Sequence, residues 1–395
     1  MQAARSRCFY QCTRLRQPLD WRVISVTHRV PDETLMQRRT LIIAEAGVNH
    51  NGDPARALAL VEAAARAGAD VVKFQSFRAD KLATSAAAKA SYQQATTGNQ
   101  QSQLEMLRAL ELSGDDEERI AAACAAAGIT YMSTPFDADS ATHLVRRIGV
   151  STLKVGSGDL TNAPLLLHLA RFKLPIILST GMATLAEVEQ ALGVIAFGYL
   201  GDAGANPTPA DLARILLDRP AWGELRAKVT LLHCTTEYPA DPQSINLRAM
   251  ATLRDAFGLA VGFSDHSRGI HIAAAAVALG ATVIEKHMTL DRNLPGPDHR
   301  ASIEPDEMAA MIASIRDIEL ALGDGRKVPA PEEVPNRSVA RRSLVAIRPI
   351  RSGERFTEDN LGVKRPGDGV SPIEYWNYLG RTAPRDYAAN EALEP

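Results

Sequence analysis

The chain has 395 residues, 46% of them apolar and 23% charged, with a formal net charge of −2. That balance argues against nucleic acid or an anionic membrane surface as partner, and no apolar stretch approaches the roughly 20 uncharged residues that cross a bilayer. Cys8, Cys12, Cys124 and Cys234 show neither disulfide nor zinc-ribbon spacing, so a cytoplasmic protein with reduced, buried thiols at Cys124 and Cys234 is expected.

In chain order, residues 1–39 read as an N-terminal extension. It holds Arg5, Arg7, Arg14, Arg16, Arg22 and Arg29, no acid before Asp20, and no periodicity. An Arg-rich, acid-poor segment also fits a transit peptide. Met36, just before the first apolar run, is a natural start, so the extension is read as disordered or as a mis-assigned start.

Eight short apolar runs follow: LIIAEAG (41–47), VVKFQSF (71–77), ITYMSTP (129–135), TLKVGSG (152–158), PIILSTG (175–181), VTLLHCT (229–235), AVGFSDH (260–266) and TVIEKHM (282–288). Most are separated by Ala- and Leu-rich stretches of helical spacing, the first predicting a helix over 54–67 that stops at Gly68. The polar segment 78–103 is too long for an ordinary connection and reads as a functional loop or lid. Thr184 to Glu187 forms a capping box, and the Gly/Pro-rich stretch 198–211 reads as a surface insertion.

After the eighth run come a helix over 305–322 and a semi-rigid linker, 324–337, with Pro329, Pro331 and Pro335. Residues 338–395 have short strand-like runs and predict a small β-rich domain, too small to be robust alone. Strand then helix, eight times, predicts an α/β fold: a (β/α)8 TIM barrel over 40–323 with its active site at the C-terminal rim.

That rim carries Glu45, Lys73, Gln75, Thr134, Lys154, Ser157, Ser179, His233, Ser264, His266 and His287. Because side chains alternate along a strand, Ser264 shares a face with His266, and Glu285 with His287. The two histidines then end adjacent strands at one level, where neutral imidazoles suit a divalent ion with open positions. Lys73 and Lys154, with Thr134, Ser157, Ser179 and Ser264, suit a phosphorylated, multiply anionic small molecule. Gly156, Gly158 and Gly181 would let backbone amides approach a phosphate. Glu45 reads either as a proton shuttle or as an anchor for a neighbouring lysine. Lys154 also admits Schiff-base chemistry if burial lowers its pKa.

The motifs EAGVNHNGD, VVKFQ, STPFD, KVGSGDL, ILSTGM, LLHCTTEYP, GFSDHSRGI and EKHMTLDRNLPGPDH together resemble the sialic acid (N-acetylneuraminate) synthase family. The tail, with SLVAIRPIRSGE and NLGVKRPGDGVSP, resembles that family's antifreeze-like SAF domain, a β-clip fold. The resemblance implies condensation of phosphoenolpyruvate with an N-acetylmannosamine-type aldehyde to give a nine-carbon 2-keto sugar acid and phosphate. It implies Mn2+ or Mg2+ on His266 and His287, and phosphoenolpyruvate on Lys73, Thr134, Lys154, Ser157, Ser179 and Ser264. Gln75, Tyr238 and Asp298 would contact the sugar, Glu45 would lie near the aldehyde, and Arg365 would reach a partner's barrel in a domain-swapped homodimer.

Two departures bear on the acceptor. Asp159 and Thr236 stand where neuraminate-type members carry Glu and Asn. Asp159 brings its carboxylate about 1.3 to 1.5 Å shorter, and Thr236 replaces an amide beside phosphoenolpyruvate. The TTEYP form is similar to the legionaminic acid synthase branch, which makes 2,4-diacetamido-2,4,6-trideoxymannose the alternative acceptor. A Schiff-base aldolase on Lys154 is the alternative of another class.

Overall fold

Each apolar run becomes a strand whose alternate side chains face inward. In the computed structural model, which describes residues 39–98, 100–201 and 204–394, these are β1 (Leu41–Gly47), β2 (Val71–Ser76), β3 (Thr130–Pro135), β4 (Leu153–Val155), β5 (Ile176–Ser179), β6 (Val229–Cys234), β7 (Ala260–Asp265) and β8 (Val283–His287). All ladders are parallel, in the order β3-β2-β1-β8-β7-β6-β5-β4. β1 pairs with both β2 and β8, so the last strand returns to the first, as barrel closure requires. Among the described residues β3 and β4 share no ladder. β4 is shorter than its apolar run because the chain turns at once into a 3-10 turn, Ser157–Asp159.

The lower interior is plugged by Ile43, Val71, Met132, Ile177, Leu232 and Val283, all buried. Burying side chains of this size contributes about 1.5–3 kcal/mol each. Gly262 of β7 belongs to the same layer, and no larger residue fits there. A Cβ at that position would lie 2.5 Å from the Val283 carbonyl oxygen and 2.7 Å from Leu232 Cδ2.

Between sheet and helices lies a larger apolar layer. The helix Pro54–Ala67 has Asp53 as N-cap and ends at Gly68 in the left-handed region, φ 85°. Segment 78–103 is not an open loop. It folds into short helices at Ala79–Leu82 and Ser91–Thr97, with a third opening at Gln103, and Met106 and Leu110 just beyond pack with Val48 and Phe77. The insertion expected at 198–211 is largely helical at its edges, within Leu185–Leu200 and Pro209–Ile215, the latter capped by Thr208.

The chain divides into two compact units, the first ending at Gly323 and the second running from Asp324. The second unit pairs Ser343–Ala346 with Leu361–Lys364 in antiparallel register around Leu344, Ile350, Phe356, Tyr387 and Leu393. The segment expected as a linker carries helical turns at Pro331–Glu333 and Asn336–Ala340. No helix of the described residues is long and apolar enough to cross a membrane. The expected N-terminal extension lies, except for Arg39, outside the described residues.

Candidate active site

Two residues above the plug, the inward positions of β1, β2, β3, β5, β7 and β8 change from apolar to polar and that of β6 becomes a thiol, while on β4 Lys154 is already level with Ile177. Ile43 gives way to Glu45, Val71 to Lys73, Met132 to Thr134, Ile177 to Ser179, Leu232 to Cys234, Gly262 to Ser264 and Val283 to Glu285. The alternation of a strand forces this step, since the same face continues upward. These groups floor a cavity of about 390 Å³.

The floor is electrostatically incomplete. Lys73 Nζ lies 2.6 Å from Glu45 Oε2 and 3.6 Å from Glu285 Oε2, and donates to Thr134 Oγ1 at 3.1 Å. Lys154 Nζ donates to Ser179 Oγ at 2.8 Å and lies 3.5 Å from Glu285 Oε1. Burial works against charge on Glu285, but Lys154, Lys73 and the Ser264 hydroxyl hold it down at about 2. Burial, with Glu285 nearby, lifts Glu45 to about 7 despite Lys73. Burial also lowers Lys154, while the two carboxylates outweigh burial and raise Lys73. Two carboxyls with opposed shifts share one floor, the arrangement by which acid/base roles are divided.

His266 and His287 stand above this floor with ring centroids 5.5 Å apart. Burial pushes His266 down to about 4 and His287 well below the ordinary histidine range, so both imidazoles are neutral near pH 7. His266 Nδ1 lies 2.7 Å from the Thr235 carbonyl oxygen, which can only accept, so Nδ1 carries the proton. Nε2, 3.2 Å from Ser264 Oγ, then holds the lone pair. Ser264 donates its single proton to Glu285 Oε1 at 2.9 Å, which leaves Nε2 without a donor. The buried Nδ1 of His287 has no hydrogen-bond partner among the described residues. Two neutral imidazoles with unfilled nitrogens fit a divalent ion. Among the described residues no cluster of three His, Cys, Asp or Glu ligands forms, so further positions would fall to water or substrate.

Tyr238 packs on His266 at 4.2 Å between ring centroids and meets His287 edge-on. Tyr92, from the helix Ser91–Thr97, lies over Tyr238 at 4.9 Å. The cover adds Leu82, Met106, Leu107 and Leu110 as an apolar wall. Asp298 lines the same cavity, buried, its carboxyl pushed up to about 6 by burial alone. Gln75 lies at the mouth and donates to Glu45 Oε1 at 3.3 Å.

Most of the expected residues converge: Glu45, Lys73, Gln75, Thr134, Lys154, Ser157, Ser179, Thr236, Tyr238, Ser264, His266, His287 and Asp298 all line the cavity. His233 does not. Leu232 and Cys234 face inward, so His233 faces out and bonds the Ile245 carbonyl through Nε2 at 2.6 Å. Asp159 turns to the Asn162 amide at 2.9 Å and is not among the lining residues. Gly181 answers a packing need: its N–H donates to Ser157 Oγ at 3.0 Å, and a Cβ would fall 2.5 Å from Thr236 Oγ1. Arg365 is exposed just past Lys364 in the second unit. Sequence reasoning placed Glu285 on one strand face with His287 but gave it no role, and it did not single out Tyr92. Tyr92 falls in the polar run 78–103, which the sequence marked as a functional loop or lid, and Leu82, Gln93 and Gln103 of that run line the cavity with it.

Comparison with known proteins gives a family match. The model of the NeuB family matches residues 60–327 and that of the SAF domain residues 341–395. An N,N'-diacetyllegionaminic acid synthase of Campylobacter jejuni is 46% identical over 356 residues, 90% of this chain and 99% of that protein. A second, of Legionella pneumophila, is 44% identical, covering 89% of this chain and 92% of its own length. A crystal structure of N-acetylneuraminic acid (sialic acid) synthetase from Leptospira borgpetersenii, in complex with citrate, is 31% identical, with a TM-score of 0.60 over 75% of this chain and 90% of that one.

Proposed function

This chain belongs to the NeuB family, and on that premise we propose that it condenses phosphoenolpyruvate with an N-acylated amino-sugar aldehyde, giving a nine-carbon 2-keto sugar acid and phosphate. The observation that carries the reading is the cavity floor, where two buried ammonium groups and a ring of hydroxyls face two neutral imidazoles. Lys73 and Lys154 would bind the phosphate and carboxylate as charge-assisted donors. Thr134, Ser157, Ser179, Thr236 and Ser264 would orient them, and the Thr236 hydroxyl, buried without a hydrogen-bond partner among the described residues, is available to do so.

His266 and His287 would hold Mn2+ or Mg2+, which when bound polarises the aldehyde oxygen. C3 of the enol then attacks the aldehyde carbon, water adds at C2, and the tetrahedral adduct expels phosphate. Glu45, with its pKa near neutrality, is suited to hold or pass the proton that the aldehyde oxygen takes up. Gln75, Tyr238 and Asp298 would contact the sugar. A homodimer in which Arg365 of a second copy meets the acyl group belongs to the same reading, as does a cytoplasmic location, which suits the buried free thiols Cys124 and Cys234.

For the acceptor, the legionaminic alternative replaces N-acetylmannosamine as the preferred reading. Two relatives named for that product are 46% and 44% identical over about nine-tenths of the chain. The apolar wall of Leu82, Met106, Leu107 and Leu110 also suits the C6 methyl of 2,4-diacetamido-2,4,6-trideoxymannose better than a hydroxymethyl group.

Phosphate release from phosphoenolpyruvate, followed with each sugar and with Mn2+ or EDTA, tests this. Metal-dependent release with the trideoxy sugar alone is expected. Release with N-acetylmannosamine alone restores the first reading, and no release with either sets both aside. A Lys154 Schiff base is favoured by one observation, the lowering of that amine by burial. Borohydride trapping with pyruvate would reveal it, while Ser179 and Glu285 hold the ammonium form against it.

A further inference from the structure

We propose that Asp265 and Lys286, which face away from the cavity, are positioning residues that set the separation of His266 and His287. The inference rests on the reading of those histidines as metal ligands. Asp265 lies between Ser264 and His266 on β7 and its vicinity, and Lys286 lies between Glu285 and His287 on β8. The two strands pair in the register Ser264 with Glu285 and Asp265 with Lys286. The inward and outward faces of this ladder are therefore locked to one another, residue by residue.

On the outward face Lys286 Nζ lies 2.9 Å from Asp265 Oδ2, and neither side chain is accessible to solvent. Every remaining polar group of the pair is directed at the turn that follows His266. Asp265 Oδ1 accepts from the Ser267 N–H at 2.8 Å and from Ser267 Oγ at 2.6 Å, and Lys286 Nζ donates to the Ser267 carbonyl at 2.5 Å. The carbonyl of His266 itself accepts from Ala240 N at 2.9 Å, and that of His287 from Ile303 N at the same distance. Lys286 thus ties its own strand, one residue before His287, to the residue just after His266.

Stability alone accounts poorly for such a pair, because a buried ion pair replaced by apolar residues is often neutral or stabilising. Fixed geometry is what it supplies. Groups that orient metal ligands without touching the ion typically change affinity by about 10- to 100-fold when removed.

The test is Mn2+ binding to the full chain without substrate, read by electron paramagnetic resonance, for wild type, H266A, H287A, K286M and D265N. The expected result is a site lost in H266A and H287A and weakened about 10- to 100-fold in K286M and D265N. Each positioning variant leaves one partner of a fully buried pair uncompensated and should melt below wild type. Binding is therefore read at a temperature where it is folded, and there it should keep the wild-type KM for phosphoenolpyruvate, which the proposed function places on Lys73 and Lys154. Unchanged Mn2+ affinity in folded K286M and D265N would overturn the inference while leaving the metal reading intact. Mn2+ binding that survives H266A and H287A would overturn the metal reading, and the inference with it. If K286M does not fold, D265N, whose amide oxygen still accepts from Ser267, carries the same test. Failure of both to fold would make the pair a stability element and also overturn the proposal.

Discussion

Two buried lysine–carboxylate systems lie back to back on this barrel, and they differ in how completely they are satisfied. Outside, Lys286 and Asp265 meet each other and Ser267, with no polar atom of either side chain left over. Inside, Lys73 and Lys154 share Glu45 and Glu285, while Glu285 Oε2, Thr236 Oγ1 and His287 Nδ1 are buried without hydrogen-bond partners among the described residues. A closed network fixes geometry. An open one at the floor of a cavity is arranged for a guest, because leaving such groups unpaired costs about 1–3 kcal/mol each until something fills them.

The sharpest way to break this contrast is to remove an inner group. H287A should lower acceptor-dependent phosphate release by about 10³-fold, the several kcal/mol expected of Lewis-acid assistance, with its melting temperature held or raised. A melting temperature that falls sharply, with activity retained, would make the open network structural.

A third buried cluster tests the converse, an unfilled network apart from the residues that line the active-site cavity. Glu117 accepts from Ser76 Oγ and lies 3.4 Å from His143 Nε2, while Tyr131 Oη has no hydrogen-bond partner among the described residues. Burial raises Glu117 from 4.5 to about 7, with the Ser76 hydroxyl opposing. Its folded pKa lies above its unfolded one, so its stabilisation is full below about pH 4.5 and is lost as pH rises through 7. E117Q removes that dependence and should gain about 2–3 kcal/mol on wild type between pH 5 and 8. Parallel stability–pH curves for the two proteins would show that Glu117 ionises freely in the folded state.

At the floor, K154M should raise KM for phosphoenolpyruvate about 10- to 100-fold, as loss of a charge-assisted hydrogen bond predicts. An effect on kcat alone would assign Lys154 to chemistry. The smallest effect expected is that of T236V, about 5- to 10-fold in the same KM, since one neutral donor is removed. No change would show that the unpartnered hydroxyl does not meet the substrate.

Much of this was legible in the chain. Strand runs, the helix 54–67 with its stop at Gly68, and the convergence of Glu45, Lys73, Lys154, His266 and His287 follow from period-two alternation, which depends only on local backbone geometry. His233 was misplaced for an equally local reason: the apolar Leu232 two residues before Cys234 already marked the inward face of β6. Segment 78–103 was legible as a functional loop or lid but not as helices, since these are short and polar and Leu82 meets an apolar cluster whose members, Val48, Phe77, Met106 and Leu110, lie outside the segment.

The sequence by itself determined the order of elements, the barrel, and which side chains share a rim, because each rests on periodicity and on turn residues. Only the tertiary structure decided which charges are satisfied. That Glu285 lies between Lys73 and Lys154, that Ser264 gives its proton to Glu285 and leaves His266 Nε2 open, and that Asp265 and Lys286 close on Ser267 are facts of three-dimensional distance. Electrostatic partnership falls off within a few ångströms, and spacing along a chain does not encode it.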